Sequence, residues 1–125
     1  MAKYCNPSLI DALLNYIKAN AGTIGYSLCS TQPTTRAEAD ATYMLAKTTL
    51  NKTTDLTLAN GDTSGRKMTV SAKTGVAVTN SGSGQHIAIY DDTNLLYVTT
   101  CPTQAVSAGG TVDVGSWKIE VANPT

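Results

Sequence analysis

The chain has 125 residues, enough for one domain with a hydrophobic core. Its nine basic and nine acidic residues give a formal net charge of zero. This balance argues against nucleic acid and anionic membranes as partners, because both attract basic surfaces. Only 14% of the residues are charged and threonine is abundant, a composition that suits a protein packed within an assembly.

The lack of a recognisable targeting segment and the spacing of the cysteines both point to a reduced compartment. Residues 1–8 lack the apolar segment of a secretory signal, and no apolar run approaches the roughly 20 residues that span a bilayer. Cys5, Cys29 and Cys101 are odd in number and widely spaced. We therefore expect a cytosolic origin and small buried thiols, with a disulfide as the alternative.

The first predicted element is an amphipathic helix from about residue 7 to about residue 20. Asn6 followed by proline is typical of a helix start, since Asn caps free N–H groups and proline lacks one. Gly22 is expected to end the helix. Apolar residues at helical spacing are Leu9, Ile10, Leu13, Leu14 and Ile17. This stripe either covers one end of a sheet or docks in part on a partner subunit, through Leu9 and Leu13.

The remainder, residues 24–122, is predicted to be mainly β, because short alternating apolar runs are separated by polar turns. Thr35 and Glu38 form a capping box that predicts a short helical turn over residues 35–40. The predicted strands cover residues 24–29, 43–50 (ambiguous with helix), 56–58, 66–73, 76–79, 86–90, 95–101, 111–114 and 117–121. Residues 123–125 are a polar tail. We expect a single domain over residues 1–125, an antiparallel β-sandwich or barrel-like fold with one N-terminal amphipathic helix.

Residues 86–101 are the most continuously apolar part of the chain, and we expect them to form a β-hairpin at the centre of the sheet. The strand residues expected to face one shared interior are Ile87, Ile89, Leu96, Val98, Trp117, Ile119 and Val121. The turn at residues 91–94 is predicted to be held by its Asp and Asn side chains. Read as a calcium loop, it lacks the glycine and the distal glutamate of an EF-hand.

No catalytic or metal-binding arrangement is apparent in the sequence. His86 is the single histidine, and Asp91 and Asp92 would lie roughly 15 Å away at strand rise, too far to complete a triad or zinc site. Residues 61–65 match neither an aspartic-protease motif, which the inserted serine breaks, nor a phosphate-binding loop, which needs a lysine. We therefore expect no enzyme, no metal and no cofactor.

Arg66 and Lys67 form the one basic pair that merits attention, beside the polar loop that contains Asp62. The pair is either a solvated strand end or a contact to an acidic patch on a neighbour. With Leu9 and Leu13 of the helix, Asp62, Arg66 and Lys67 are the candidate partner-binding residues.

Six stretches of the chain carry a resemblance to a known family. They lie at residues 13–18, 28–39, 61–67, 86–92, 95–100 and 117–120. The most distinctive are Gln-Pro-Thr-Thr at residues 32–35 and Asp-Thr-Ser-Gly-Arg-Lys at residues 62–67. In these stretches the chain resembles small virion structural proteins of tailed bacteriophages, over nearly its whole length.

The resemblance implies a particle component present in many copies, with no catalytic residues to carry over. The implied partners are the major capsid protein or other virion subunits, together with further copies of the chain, and neither nucleic acid nor membrane. The implied location is the virion, assembled in the host cytoplasm. Our leading hypothesis is a capsid decoration (cement) protein. A tail, neck or fibre-base component is the second, a host- or glycan-binding module the third, and a small hydrolase the last.

Overall fold

The computed structural model of the chain describes residues 5–19 and 22–122. The predicted tail at residues 123–125 and the predicted helix end near residue 20 lie outside these residues. The contacts within the chain divide it into two compact units, each made of separate segments. Unit 1 consists of Met1–Asn20, Asn51–Ala72 and Gly115–Thr125, and unit 2 consists of Ala21–Leu50 and Lys73–Val114.

The described part of the chain is mainly β with one α-helix at its N-terminal end. In chain order its elements are α1 (Pro7–Lys18), β1 (Ile24–Cys29), a π-helical turn (Glu38–Thr42), β2 (Met44–Leu50), β3 (Leu56–Asn60), β4 (Arg66–Val70), β5 (Lys73–Ala77), β6 (Gly82–Tyr90), β7 (Leu95–Val106), β8 (Thr111–Val114) and β9 (Trp117–Val121). Antiparallel pairing joins the strands into open sheets with the orders β2-β1-β6-β7, β3-β4-β9 and β5-β8. The predicted antiparallel β fold with one N-terminal helix is thereby confirmed. Of its two predicted alternatives, the sheets are sandwich-like and do not close into a barrel.

In unit 1, α1 packs against β3 and β4. The helix starts as predicted: the Asn6 side chain accepts a hydrogen bond from the Ser8 N–H at 2.8 Å, and proline occupies the first turn. The helix ends at Lys18 with Ala19 as its C-cap, so it stops before Gly22, the residue predicted to end it. The buried apolar residues of unit 1 are Ile10, Leu14, Ile17, Leu56, Met68, Val70 and Ile119.

Unit 2 is organised around the neighbouring strands β1 and β6. All six residues of β1 are buried, and so are the last four of β6. Because successive side chains of a strand point to opposite faces, burial this continuous means that both faces of the sheet are covered here. The pairs Tyr26–Ile89 and Leu28–Ile87 place four large side chains on one face.

The opposite face carries smaller side chains and is covered by the π-helical turn. Ala39 of the turn packs with Cys29, Ala88 and Tyr90 in one buried cluster. A Cβ atom on Gly25 would lie 2.2 Å from the Tyr90 ring. Glycine is therefore required at that position for the tyrosine to lie flat over β1.

The helical turn predicted from Thr35 and Glu38 is confirmed. The Glu38 N–H donates to the Thr35 hydroxyl at 3.2 Å, and the Glu38 carboxylate accepts from the Thr34 N–H at 2.8 Å and its hydroxyl at 2.7 Å. In an ideal capping box the Glu38 carboxylate would accept from the Thr35 N–H, so this second bond is shifted by one residue. The ambiguous residues 43–50 form a strand, Met44–Leu50.

The predicted hairpin forms. Its position in the sheet differs from the prediction, and so does the face of the sheet on which some of its side chains lie. β6 is central, whereas β7 is an edge strand. Val98 lies opposite Ala88, so it shares the small-residue face, while Tyr97 and Thr99 lie opposite Ile89 and Ile87. The expectation that Val98 faces with Ile87 and Ile89 is therefore wrong, because a change of pairing by one residue exchanges the two faces of a strand.

The last strand also differs from expectation. Trp117, Ile119 and Val121 belong to β9, which pairs with β4 in the three-stranded sheet and not with the sheet that contains β6. Of the three, only Ile119 is buried. The alternating pattern predicts one buried face for a strand, but it does not say which sheet the strand joins.

Several strand ends were misplaced by the sequence prediction. β4 ends at Val70 and Ala72 is exposed, while Lys73 begins β5. β7 continues through Pro102 to Val106, although proline cannot donate to a ladder. Its position at a sheet edge explains why the proline is tolerated.

Replacing a central core side chain tests this arrangement. Ile89 is 0% exposed, so Ile89→Ala should lower the free energy of unfolding by about 2–5 kcal/mol, the usual range for such a truncation. Leu13→Ala is the matched control: Leu13 is 62% exposed, and its truncation should change stability by less than about 0.5 kcal/mol. Urea denaturation followed by circular dichroism gives both values. Similar losses for the two variants would contradict the assignment of buried and exposed faces.

Candidate functional site

The outer face of α1 is the most apolar exposed surface of unit 1. The predicted apolar stripe divides into two rows, one buried and one exposed. The buried row consists of Ile10, Leu14 and Ile17. Leu9 and Leu13, the two helix residues predicted to bind a partner, are 61% and 62% exposed. Both therefore lie on the side of the helix that the sheet does not cover.

Tyr16 extends this surface and was missed by the sequence analysis. It is 61% exposed and lies one turn beyond Leu13. Residues spaced by four and then three positions share one face of a helix, so Leu9, Leu13 and Tyr16 form a continuous row. That spacing was visible in the sequence, but the stronger neighbouring stripe concealed it. We call this row the α1 outer face.

Polar contacts fix α1 on the sheet and so orient its outer face. Asp11 accepts a hydrogen bond from the Arg66 Nε at 2.8 Å, and the Arg66 Nη1 also donates to the Asn60 Oδ1 at 2.6 Å. At the C-terminal end of the helix, the Lys18 Nζ donates to the carbonyl oxygens of Lys52 at 2.7 Å and Leu56 at 2.5 Å. The helix is thus held near its middle and at its C-terminal end, and rotation that would bury its outer face would break these bonds.

Asp62 and Lys67, also predicted to bind a partner, lie in a group of charges at the loop between β3 and β4. The Lys67 Nζ donates to the Asp62 carboxylate at 2.6 Å, and Lys118 of β9 contacts the same carboxylate. Lys118 also pairs with Glu120 at 3.2 Å. Each charge of this group therefore has an opposite charge within unit 1.

Glu120 holds the backbone of the same loop. Its carboxylate accepts hydrogen bonds from the N–H groups of Asp62 and Thr63, both at 3.3 Å. The bond from Thr63 and the contact with Lys118 lower the pKa of Glu120, since both favour the charged form. Gly65 closes the loop with a φ of 70°, and a Cβ atom there would meet the Val121 carbonyl oxygen.

The five predicted partner-binding residues therefore play different roles. Leu9 and Leu13 are exposed together, whereas Arg66 and Lys67 are each paired with an acidic side chain of the same unit. Arg66 still contributes indirectly, because its bond to Asp11 positions the helix between the two leucines. The apolar members of the set are thus available to a partner, and the basic members are engaged.

Unit 2 contains a polar cleft of about 340 Å³. Its lining residues are Thr23, Gly25, Arg36, Asp40, Lys47, Thr48, Thr49, Tyr90, Asp91 and Asp92. Asp40 lies at its centre and accepts a hydrogen bond from the Tyr90 hydroxyl at 2.9 Å, with Lys47 at 3.1 Å and Arg36 at 3.5 Å. Arg36 also stacks over the Tyr90 ring, 5.4 Å from its centre, and donates to the Asp91 carbonyl at 2.7 Å.

The charges of this cleft stabilise the π-helical turn. Partial burial acts to raise the pKa of Asp40, but hydrogen bonds from Lys47 and Tyr90 outweigh it, and the net pKa is lowered. Burial and the neighbouring Asp40 carboxylate raise the pKa of Tyr90. Asp40 therefore stays charged and Tyr90 stays protonated, which keeps their hydrogen bond intact at neutral pH. The network joins the turn to β2 and β6.

The side chains that could act in catalysis or metal binding do not group into one site among the described residues. The Asp91 carboxylate accepts from the N–H groups of Thr93 at 2.8 Å and Asn94 at 2.6 Å, which confirms the predicted Asx-type hairpin turn. His86 lies on β6 with a buried Nδ1 that has no hydrogen-bond partner. Over residues 5–19 and 22–122, no three His, Cys, Asp or Glu side chains group as metal ligands do.

The thiol of Cys29 is held in its protonated form, which is the less reactive one. Burial raises the pKa of the Cys29 thiol, the Ser27 hydroxyl lowers it in part, and the neighbouring Cys101 raises it again. A raised pKa keeps the thiol protonated, and the thiolate is the nucleophile in cysteine chemistry. The Cys29 sulfur lies 3.4 Å from the Ser27 hydroxyl and 3.9 Å from the Ala39 carbonyl oxygen. Its position is that of a small core residue.

Among the described residues, no helix combines the length and the apolar character needed to cross a bilayer. Comparison with known protein families, with curated protein sequences and with solved structures found no significant match for this chain.

The thiols give a direct chemical test. Cys5, Cys29 and Cys101 are free in the structure, and Cys29 is 0% exposed. Reaction needs both access and the thiolate, and burial raises the pKa of the Cys101 thiol. We therefore expect Cys5 to be alkylated readily in the folded protein, Cys101 more slowly, and Cys29 only after unfolding. Mass spectrometry of samples alkylated without reductant, folded and in denaturant, measures this. A pair of cysteines that resists alkylation in denaturant would show a disulfide and contradict the expectation.

Proposed function

We propose that this protein is a structural component of a bacteriophage virion, and specifically a decoration (cement) protein that binds the major capsid protein lattice and stabilises the head. The observation that carries the proposal is the α1 outer face. Three large apolar side chains are exposed there on a helix that hydrogen bonds hold in place near its middle and at its C-terminal end. Exposed apolar rows of this kind mark protein–protein contacts. The resemblance to small virion proteins indicates what the partner is.

The charge distribution supports attachment to a protein lattice. The net charge is zero, and the basic side chains at the α1 outer face and the nearby loop are neutralised within unit 1. Long-range attraction is therefore weak, and affinity would come from apolar contact at the helix. Modest contacts of this kind become strong when many copies bind a symmetric surface made of linked subunits.

The second candidate, a tail, neck or fibre-base component, uses the same apolar face on a different partner. Copy number distinguishes the two positions. A decoration protein should be present in purified particles at a number comparable to that of the major capsid protein, whereas neck and fibre positions hold far fewer copies. Quantitative mass spectrometry of intact particles, with labelled reference peptides, measures this ratio.

The third candidate, a glycan- or host-binding module, has less support. Such sites usually present an aromatic ring to the sugar. Of the aromatic residues noted in the strands, Tyr26 and Tyr90 are buried, Tyr43 and Trp117 are partly buried, and Tyr97 is 36% exposed. Within the described strands, a glycan site would therefore rest on Tyr97, since the more exposed Tyr16 belongs to the α1 outer face.

Apolar attachment predicts tolerance to salt. Particles incubated in rising salt and then sedimented should retain the protein at about 1 M, where the screening length is only about 3 Å. Release at moderate salt, mimicked by Arg66→Ala at low salt, would show instead that charge holds the protein on the particle. The amount retained is measured by gel densitometry against the major capsid protein.

Truncation of the α1 outer face should weaken attachment. Leu13→Ala should reduce the binding free energy by about 2 kcal/mol, roughly a thirtyfold change in affinity, if the leucine becomes buried on the lattice. Thr57→Ala, at an exposed position of β3 outside the α1 outer face, is the control and should bind normally. Competition for particles stripped of the protein gives both affinities. Equal binding by Leu13→Ala and the unaltered protein would exclude this face as the attachment surface.

A further inference from the structure

Asn60 combines a reactive sequence with an exposed position in unit 1. It is the one asparagine of the chain that a glycine follows. In such a pair the glycine nitrogen can attack the carbon of the asparagine side-chain amide, because the glycine has no side chain to shield that nitrogen. Asn60 is the last residue of β3 and is exposed, so water reaches the amide.

The fold requires glycine at position 61. A Cβ atom there would collide with the Ser64 carbonyl oxygen, so the loop between β3 and β4 has no room for a side chain at this position. The loop therefore keeps the one residue type that leaves the amide of Asn60 open to attack from the backbone.

Neighbouring groups act on both atoms that would be joined. The Arg66 Nη1 donates to the Asn60 Oδ1 at 2.6 Å. A charged donor there draws electrons from the amide carbon and stabilises the negative charge that attack places on the oxygen. The Gly61 N–H donates to the Gly65 carbonyl oxygen at 2.9 Å, so an acceptor already contacts the proton that the attacking nitrogen must lose.

We propose that Asn60 is a site of spontaneous deamidation in the folded protein, and that Arg66 binds the carboxylate that results. The Gly61 nitrogen loses its proton and forms a bond to the Asn60 Cγ, and the side-chain nitrogen leaves as ammonia. Water then opens the cyclic imide and leaves aspartate or isoaspartate at position 60. Water is consumed and ammonia is released, so the step balances without an oxidant or a reductant. The inference concerns unit 1 itself and does not depend on the virion function.

Deamidation would change the surroundings of the group that positions α1. The Arg66 Nε donates to Asp11 of α1 at 2.8 Å, while its Nη1 binds the neutral Asn60 amide. A carboxylate at position 60 puts a second negative charge on the same guanidinium, whose several donors can bind both. Isoaspartate instead adds a backbone carbon before Gly61, at the point where Asn60 pairs with Arg66 across the two strands.

The first test uses the unaltered full chain, folded and kept in warm, mildly alkaline buffer, with deamidation mapped by peptide mass spectrometry. Asn80 is also exposed but is followed by serine, so it is the matched control within the same chain. Asn60 should be converted at least about tenfold faster than Asn80, because only its neighbouring nitrogen is unshielded. Circular dichroism shows that the protein stays folded. Equal conversion at both positions, or conversion of Asn60 in denaturant only, overturns the proposal.

The second test identifies the site and the partner of the product. Asn60→Gln keeps an amide but closes the corresponding ring far more slowly, so it should remove the acidic species that isoelectric focusing shows in the aged protein. Asn60→Asp reproduces the aspartyl product, and the pKa of its new carboxyl group, titrated by NMR, should lie below the ordinary value of about 3.9. Adding Arg66→Ala should restore the ordinary pKa. Persistence of the acidic species in Asn60→Gln, or an unshifted pKa in Asn60→Asp, contradicts the assignment.

Discussion

The continuous burial of β1 and β6 is the constraint on which unit 2 depends. Because both faces of these two strands are covered, each face needs a side-chain set of its own. One face has the large pairs Tyr26–Ile89 and Leu28–Ile87. The other accepts the Tyr90 ring only because Gly25 lies beneath it, and the π-helical turn then seals that ring with Ala39. Both faces of β1 and of the end of β6 are therefore filled by the protein's own side chains.

Charges in this protein orient its parts more than they attract partners. In unit 2, Asp40 binds Arg36, Lys47 and Tyr90 and so fixes the helical turn. In unit 1, Arg66 fixes the helix through Asp11. Partly exposed ion pairs of this kind contribute little to stability, but they select one arrangement of the segments they join.

The sequence by itself determined the local elements. Asn6 and the proline after it determined where the helix starts, Thr35 and Glu38 predicted the helical turn, and the polar residues 91–94 predicted the hairpin. These features depend on side chains bonding to nearby backbone, so neighbouring residues suffice to predict them.

Tertiary structure alone decided which apolar surfaces became buried. Leu13 and Leu14 are adjacent and equally apolar, yet one is exposed and the other covered by the sheet. Likewise β7 became an edge while β6 became central, and β9 joined a sheet in the other unit. Periodicity shows which residues share a face, but the strand or sheet that covers that face is chosen by packing between segments distant in sequence.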